Sequence, residues 1–162
     1  MVQHRESLIP KSPGWLRMLR LGLLLSSIGW GISFVFTFSP WGSASDHLYL
    51  MGAERIPYQP LLDYWLKMAS ATFGCIGIAS ALACIRPGSF EGMVILLGPF
   101  HGLIGTVLTI SAVANELRTD RHPTFIADIT FCFVTAFLIS APLLANILRK
   151  KSRPANADEN LA

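Results

Sequence analysis

The charges of this chain sit in clusters, separated by four long apolar stretches from which Asp, Glu, Lys and Arg are almost absent. A helix rises 1.5 Å per residue, so roughly 20 apolar residues cross a hydrocarbon core of about 30 Å. The stretches predict spans at about 16–38, 61–85, 92–115 and 125–148. Charged residues make up only 14% of the chain against 52% hydrophobic, where soluble domains carry about 25% charged. The chain is therefore expected to be all-α, an integral membrane antiparallel four-helix bundle over residues 15–149. Residues 1–14 and 150–162 are expected to be disordered cytoplasmic tails, being polar or proline-bearing without apolar periodicity.

The first stretch has a basic lead, as a signal peptide does, but its apolar part from Leu21 to Phe38 exceeds the usual 7–15 residues. It is read as a span. The loop from Ser39 to Pro60 holds Trp41, Tyr49 and Tyr58, aromatic residues suited to an interface. Within it, His47–Met51 suggests a short interfacial helix capped by Ser45 or Asp46.

Orientation follows from the basic residues. Nine of thirteen fall in the N-terminal segment (Arg5, Lys11, Arg17, Arg20), the second loop (Arg86) and the C-terminal segment (Arg149, Lys150, Lys151, Arg153). The opposite loops hold Arg55, Arg118 and Arg121, and Lys67 lies within the second span. The positive-inside rule then puts both termini in the cytoplasm. The formal charge of +3 is read as headgroup attraction and topology control. Without basic clusters interleaved with aromatics, nucleic acid is not an expected partner. The three cysteines, Cys75, Cys84 and Cys132, lie inside spans and form no C-x-x-C, which argues against a disulfide framework or zinc site.

Each span carries a stripe of small and polar residues at steps of three and four. The second runs Asp63, Lys67, Ser70, Gly74, Gly77, Ala81, Cys84, and the fourth Asp128, Cys132, Thr135, Ile139, Pro142, Asn146. In lipid, close packing of small residues and interhelical hydrogen bonds drive association. Gly22, Ser26, Gly29, Gly74, Gly77, Gly98, Gly102 and Gly105 are the expected packing positions. Pro99 and Pro142 lie inside spans and predict kinks.

An ionisable side chain within a span costs about 2.5–3.5 kcal/mol at the centre, so Asp63, Lys67, His101 and Asp128 are the candidate ligand or ion-pair residues. Asp63 precedes Lys67 by four residues, the favourable order for a pair on one helix; by depth, Asp128 is a rival partner across the bundle. His101, near the middle of its span, reads first as a satisfied core histidine and second as a proton relay or ligand contact. His47, His122, Glu116 and Asp120 could join Asp63 and Asp128 around a divalent ion. Loops there ordinarily hold solvated charges, however, so neither a metal nor another cofactor is assigned. No P-loop, G-x-S-x-G, H-E-x-x-H or G-x-G-x-x-G is present.

The four-span layout, together with the run Asp63-Tyr64-Trp65-Leu66-Lys67-Met68 at the entry to the second span, resembles small bacterial inner-membrane proteins of the DoxX-like four-helix type. The resemblance implies a fold class and a bacterial inner (cytoplasmic) membrane, and no functional residues. The expected role is a non-enzymatic membrane component, an accessory or scaffold subunit packing against partner subunits and lipids. The alternatives are a small-molecule or ion binder with a polar vestibule open to the non-cytoplasmic side, and a membrane redox enzyme or partner.

Overall fold

The computed structural model describes residues 7–152. The described residues form six helices: α1 (Pro13–Gly31), α2 (Phe34–Phe38), α3 (Trp41–Leu50), α4 (Pro60–Ile85), α5 (Glu91–Ala114) and α6 (Phe125–Lys151). Four spans, Pro13–Phe38, Pro60–Ile85, Glu91–Ala114 and Phe125–Arg149, are long and apolar enough to cross a membrane. The protein is thus all-helical and of integral membrane type. The spans lie within a few residues of those expected from sequence.

Local chemistry sets the boundaries. Pro13 and Pro60 occupy the first helical turn, where a missing N–H costs nothing. Arg86-Pro87 stops α4, because the residue before proline avoids helical backbone. α5 ends with Glu116 at φ 51°. The N–H of Leu117 bonds the carbonyl of Ala112 and that of Glu116 bonds Val113, the bonding of a left-handed helix stop.

The first span breaks at Ile32–Ser33 into α1 and α2, bridged by tighter bonds from Ser33 to Trp30 and from Val35 to Ile32. The interfacial helix is longer than expected: α3 begins at Trp41 with Pro40 as its cap residue, and Ser45 and Asp46 lie inside it. Pro99 and Pro142 are accommodated within continuous helices.

α1 packs on α4 and α6, α5 on α6, and α2 on α4, while α4 and α5 meet only slightly. Glycines set the closeness of these seams. At Gly77 an added Cβ would meet the backbone N and Cα of Gly31 at 2.5 and 2.6 Å. At Gly22 it would meet Ile139 and Leu138 of α6, at Gly98 the Ser140 hydroxyl, and at Gly105 Cys132 and Phe133. Phe34 of α2 lies over Gly74, and Phe131 of α6 over Gly29. Gly102 is different: its nearest neighbour would be Ala136 Cβ at 3.9 Å, so it is not a tight seam.

The buried face of α4 is Ser70, Gly74, Gly77, Ser80 and Ala83, one residue off the expected Ala81 and Cys84 at its end. In α6, Cys132, Thr135, Ile139 and Pro142 are buried as the stripe requires, but Asp128 is exposed.

An apolar core of Leu19, Leu23, Ala83, Val94, Leu97, Ile139 and Leu143 fills the end of the molecule near the start of α1 and the end of α6, here the tail end. Large side chains including Leu21, Leu24, Ile28, Ile78, Leu82, Leu96, Leu103, Val107 and Phe137 point outward. A water-facing surface does not sustain so continuous an apolar belt; acyl chains do. At the tail end, Leu8 bonds Glu91 and Asn146, and Ile9 packs against the core cluster. The expectations for residues 1–6 and 153–162, including Arg5 and Arg153, lie outside the described residues.

Candidate functional site

His101 lies on the inner face of α5, fully buried. Its Nδ1 is 2.7 Å from the carbonyl oxygen of Leu97, one turn back. A carbonyl only accepts, so Nδ1 carries the proton. The indole Nε1–H of Trp30 then donates to Nε2 at 2.7 Å. The imidazole is therefore neutral with both nitrogens engaged, and it ties α1 to α5. Around this pair, Phe73 of α4 sits 4.9 Å from Trp30 between ring centroids, and Phe131 of α6 sits 6.0 Å from His101. All four spans contribute to this layer. In this state His101 has no free lone pair for a metal or haem iron.

Trp30 is not among the residues expected from sequence, although the sequence carries a signal for it. Tryptophan favours the membrane interface, and one in mid-span must find an acceptor for its N–H. His101 was the polar group at matching depth.

Lys67 Nζ donates to Asp63 Oδ2 at 2.8 Å, within α4, and their side chains are 40% and 16% exposed. The i,i+4 arrangement read from sequence is thus the one formed. Among the described residues Asp63 Oδ1 is buried without a partner, as are the hydroxyls of Thr37 and Thr135.

Asp128 does not complete a pair with Lys67. It borders a notch of about 80 Å³ between α5 and α6, with Leu108, Ser111, Ala112, Leu117, Phe125 and Ile129. The reason is positional: α6 packs on α5 and α1 rather than along α4, so its first turn faces the end of α5. Of these residues the structure brings Asp63 and Lys67 together, while His101 bonds Trp30 and Leu97 and Asp128 borders the notch between α5 and α6.

The loop residues considered for a metal are engaged separately. His47 Nδ1 bonds the Ser43 carbonyl, His122 Nδ1 accepts from the Arg118 N–H, and Asp120 pairs with Arg118. Among the described residues, no three His, Cys, Asp or Glu side chains are grouped to hold an ion. Cys84 donates weakly to the Arg20 carbonyl, and all three cysteines are free.

Between the helices, Ser26 of α1 and Ser80 of α4 share a buried hydrogen bond of 2.9 Å. An open groove of about 650 Å³ beside α6, bordered by Leu25, Thr119, Ile126, Thr130, Phe131 and Val134 among others, carries no ionisable side chain. Its lining suits hydrocarbon. The chain matches no known family model, no curated protein and no solved structure.

Proposed function

We propose that the chain is an antiparallel four-helix bundle of a bacterial-type inner membrane, with both ends cytoplasmic, and that it serves as a non-enzymatic accessory or scaffold subunit. The layout supports the topology: Gly22 meets Leu138 and Ile139 while Gly29 meets Phe131, so α1 and α6 run in opposite senses. The excess of basic residues at the tail end supports the orientation. The resemblance to DoxX-like proteins agrees with the membrane type and adds nothing on role.

One observation carries the functional reading. Several of the polar groups that hydrocarbon makes costly are spent on neighbours within the protein, the buried hydroxyls of Thr37 and Thr135 being exceptions. His101 is held by Trp30 and Leu97, Lys67 by Asp63, and Ser26 by Ser80. These are pairs that fix helix against helix or side chain against its own turn. Outside them lies a broad apolar surface available to lipids and to partner subunits.

A second reading keeps one support. Asp63 Oδ1 is buried and unbonded, and an unsatisfied carboxylate oxygen is costly, so a small solute or ion bound there would relieve it.

Mild detergent extraction of the native complex, followed by mass spectrometry of retained proteins and lipids, separates the two. A stoichiometric protein partner, retained by Asp128→Asn, is the expected result. A lone chain holding one small molecule that is lost in Asp63→Asn would replace the scaffold reading with the binder.

A further inference from the structure

We infer that residues 7–10 form a strap that latches across α5 and α6 and covers the apolar core at the tail end. The latch is made on one residue. The backbone N–H of Leu8 donates to Glu91 Oε1, on the first residue of α5, and its carbonyl accepts from Asn146 Nδ2 on α6 at 2.9 Å. Both backbone groups are thus taken by side chains of two different helices, 83 and 138 residues away in sequence. This serves an extended segment as a neighbouring strand would, satisfying a main chain that has no helix of its own.

The next residues are the cover. Ile9 packs against the cluster that contains Leu19, Leu23, Leu97 and Leu143, and Pro10 is buried. The Ile9 N–H is met locally by the Ser7 hydroxyl at 3.2 Å. Lys11, just beyond, is exposed. The two parts differ in kind. The latch reads backbone and is indifferent to the side chain of residue 8, whereas the cover depends on an apolar residue at 9. Two polar bonds at a wet helix end are the part that can open and reclose. Opening them uncovers aliphatic side chains of α1, α5 and α6 together, which makes this end a gated surface.

The strap is testable by thiol accessibility in nanodiscs, which leave both membrane faces open to reagent. In full-length protein with Cys75, Cys84 and Cys132 replaced by alanine, Ile9→Cys and Lys11→Cys are compared for reaction with a water-soluble maleimide. The Ile9→Cys thiol is expected to react roughly ten-fold more slowly. Adding Glu91→Ala or Asn146→Ala should speed it roughly five-fold, the factor carried by one ordinary net hydrogen bond, with no change at Lys11→Cys. Glu91→Gln, whose amide oxygen still accepts, should keep the protection. Equal rates at positions 9 and 11 in the otherwise unaltered protein would overturn the strap. An Ile9→Cys rate indifferent to both alanine changes would overturn the latch.

Discussion

Gly77 and Gly102 have the same side chain and opposite surroundings. A methyl at position 77 would press on the backbone of Gly31, which has nowhere to go, whereas at position 102 the nearest atom is 3.9 Å away. Overpacking against backbone costs about 1–3 kcal/mol, and alanine gains about 0.5–1 kcal/mol over glycine within a helix. Reversible unfolding in mixed micelles should therefore find Gly77→Ala destabilised by about 1–3 kcal/mol and Gly102→Ala unchanged or slightly stabilised. Equal effects would remove the distinction between the two seams. The bond between Trp30 and His101 makes a second residue-scale prediction. Hydrogen bonds between membrane helices average about 0.6 kcal/mol and reach about 1.7. A double-mutant cycle of Trp30→Phe with His101→Leu should return a coupling in that range, and strict additivity would deny the bond. At this scale the sequence was legible in part: the spacing of Asp63 and Lys67 offers the pair that forms, but depth alone left Asp128 as a rival. It was not legible where the partner is distant in the chain. Nothing near Leu8 announces Glu91 or Asn146, and the Trp30–His101 bond needs the register of α1 on α5.

Helix ends and seams were more readable than helix neighbours. Prolines at positions 13, 60 and 87 mark boundaries that the structure keeps within a few residues. The break at Ile32–Ser33 was unforeseen, since neither residue is a strong helix breaker; it places Phe34 over Gly74, a consequence of packing rather than propensity. The small-residue stripe of α4 holds from Ser70 through Gly77 and then shifts by one, to Ser80 and Ala83. The period of 3.6 residues moves any fixed three-and-four pattern around the helix. The first turn of α6 departs furthest: Asp128 is exposed, and a carboxylate at a helix end can face water without needing the interior. The end of α5 supplies the prediction for elements. Glu116 adopts a left-handed backbone at φ 51°, a conformation glycine takes without the Cβ clash. Glu116→Gly removes a left-handed penalty of about 1–2 kcal/mol against an entropy cost of about 0.5–1 kcal/mol, so it should stabilise the protein slightly, seen as a higher unfolding midpoint in detergent. A loss of stability would mean that the glutamate side chain contributes something the backbone argument misses.

Across the whole molecule, three levels follow one another along the long helices. Aliphatic packing under the strap lies at the tail end, the Trp30–His101 layer tied into all four spans lies at mid-depth, and the Asp63–Lys67 pair lies toward the loop end. Such an order is coherent only if the chain crosses four times, so that residues 86–90 lie on the face opposite residues 52–59 and 115–124. Impermeant maleimide labelling of single cysteines tests this directly, in the same cysteine-free background. Intact cells or spheroplasts are compared with inverted membrane vesicles. Glu54→Cys and Thr119→Cys should label from the outside and Gly88→Cys only in inverted vesicles. Labelling of Gly88→Cys from the same face as Glu54→Cys would contradict the four-span account.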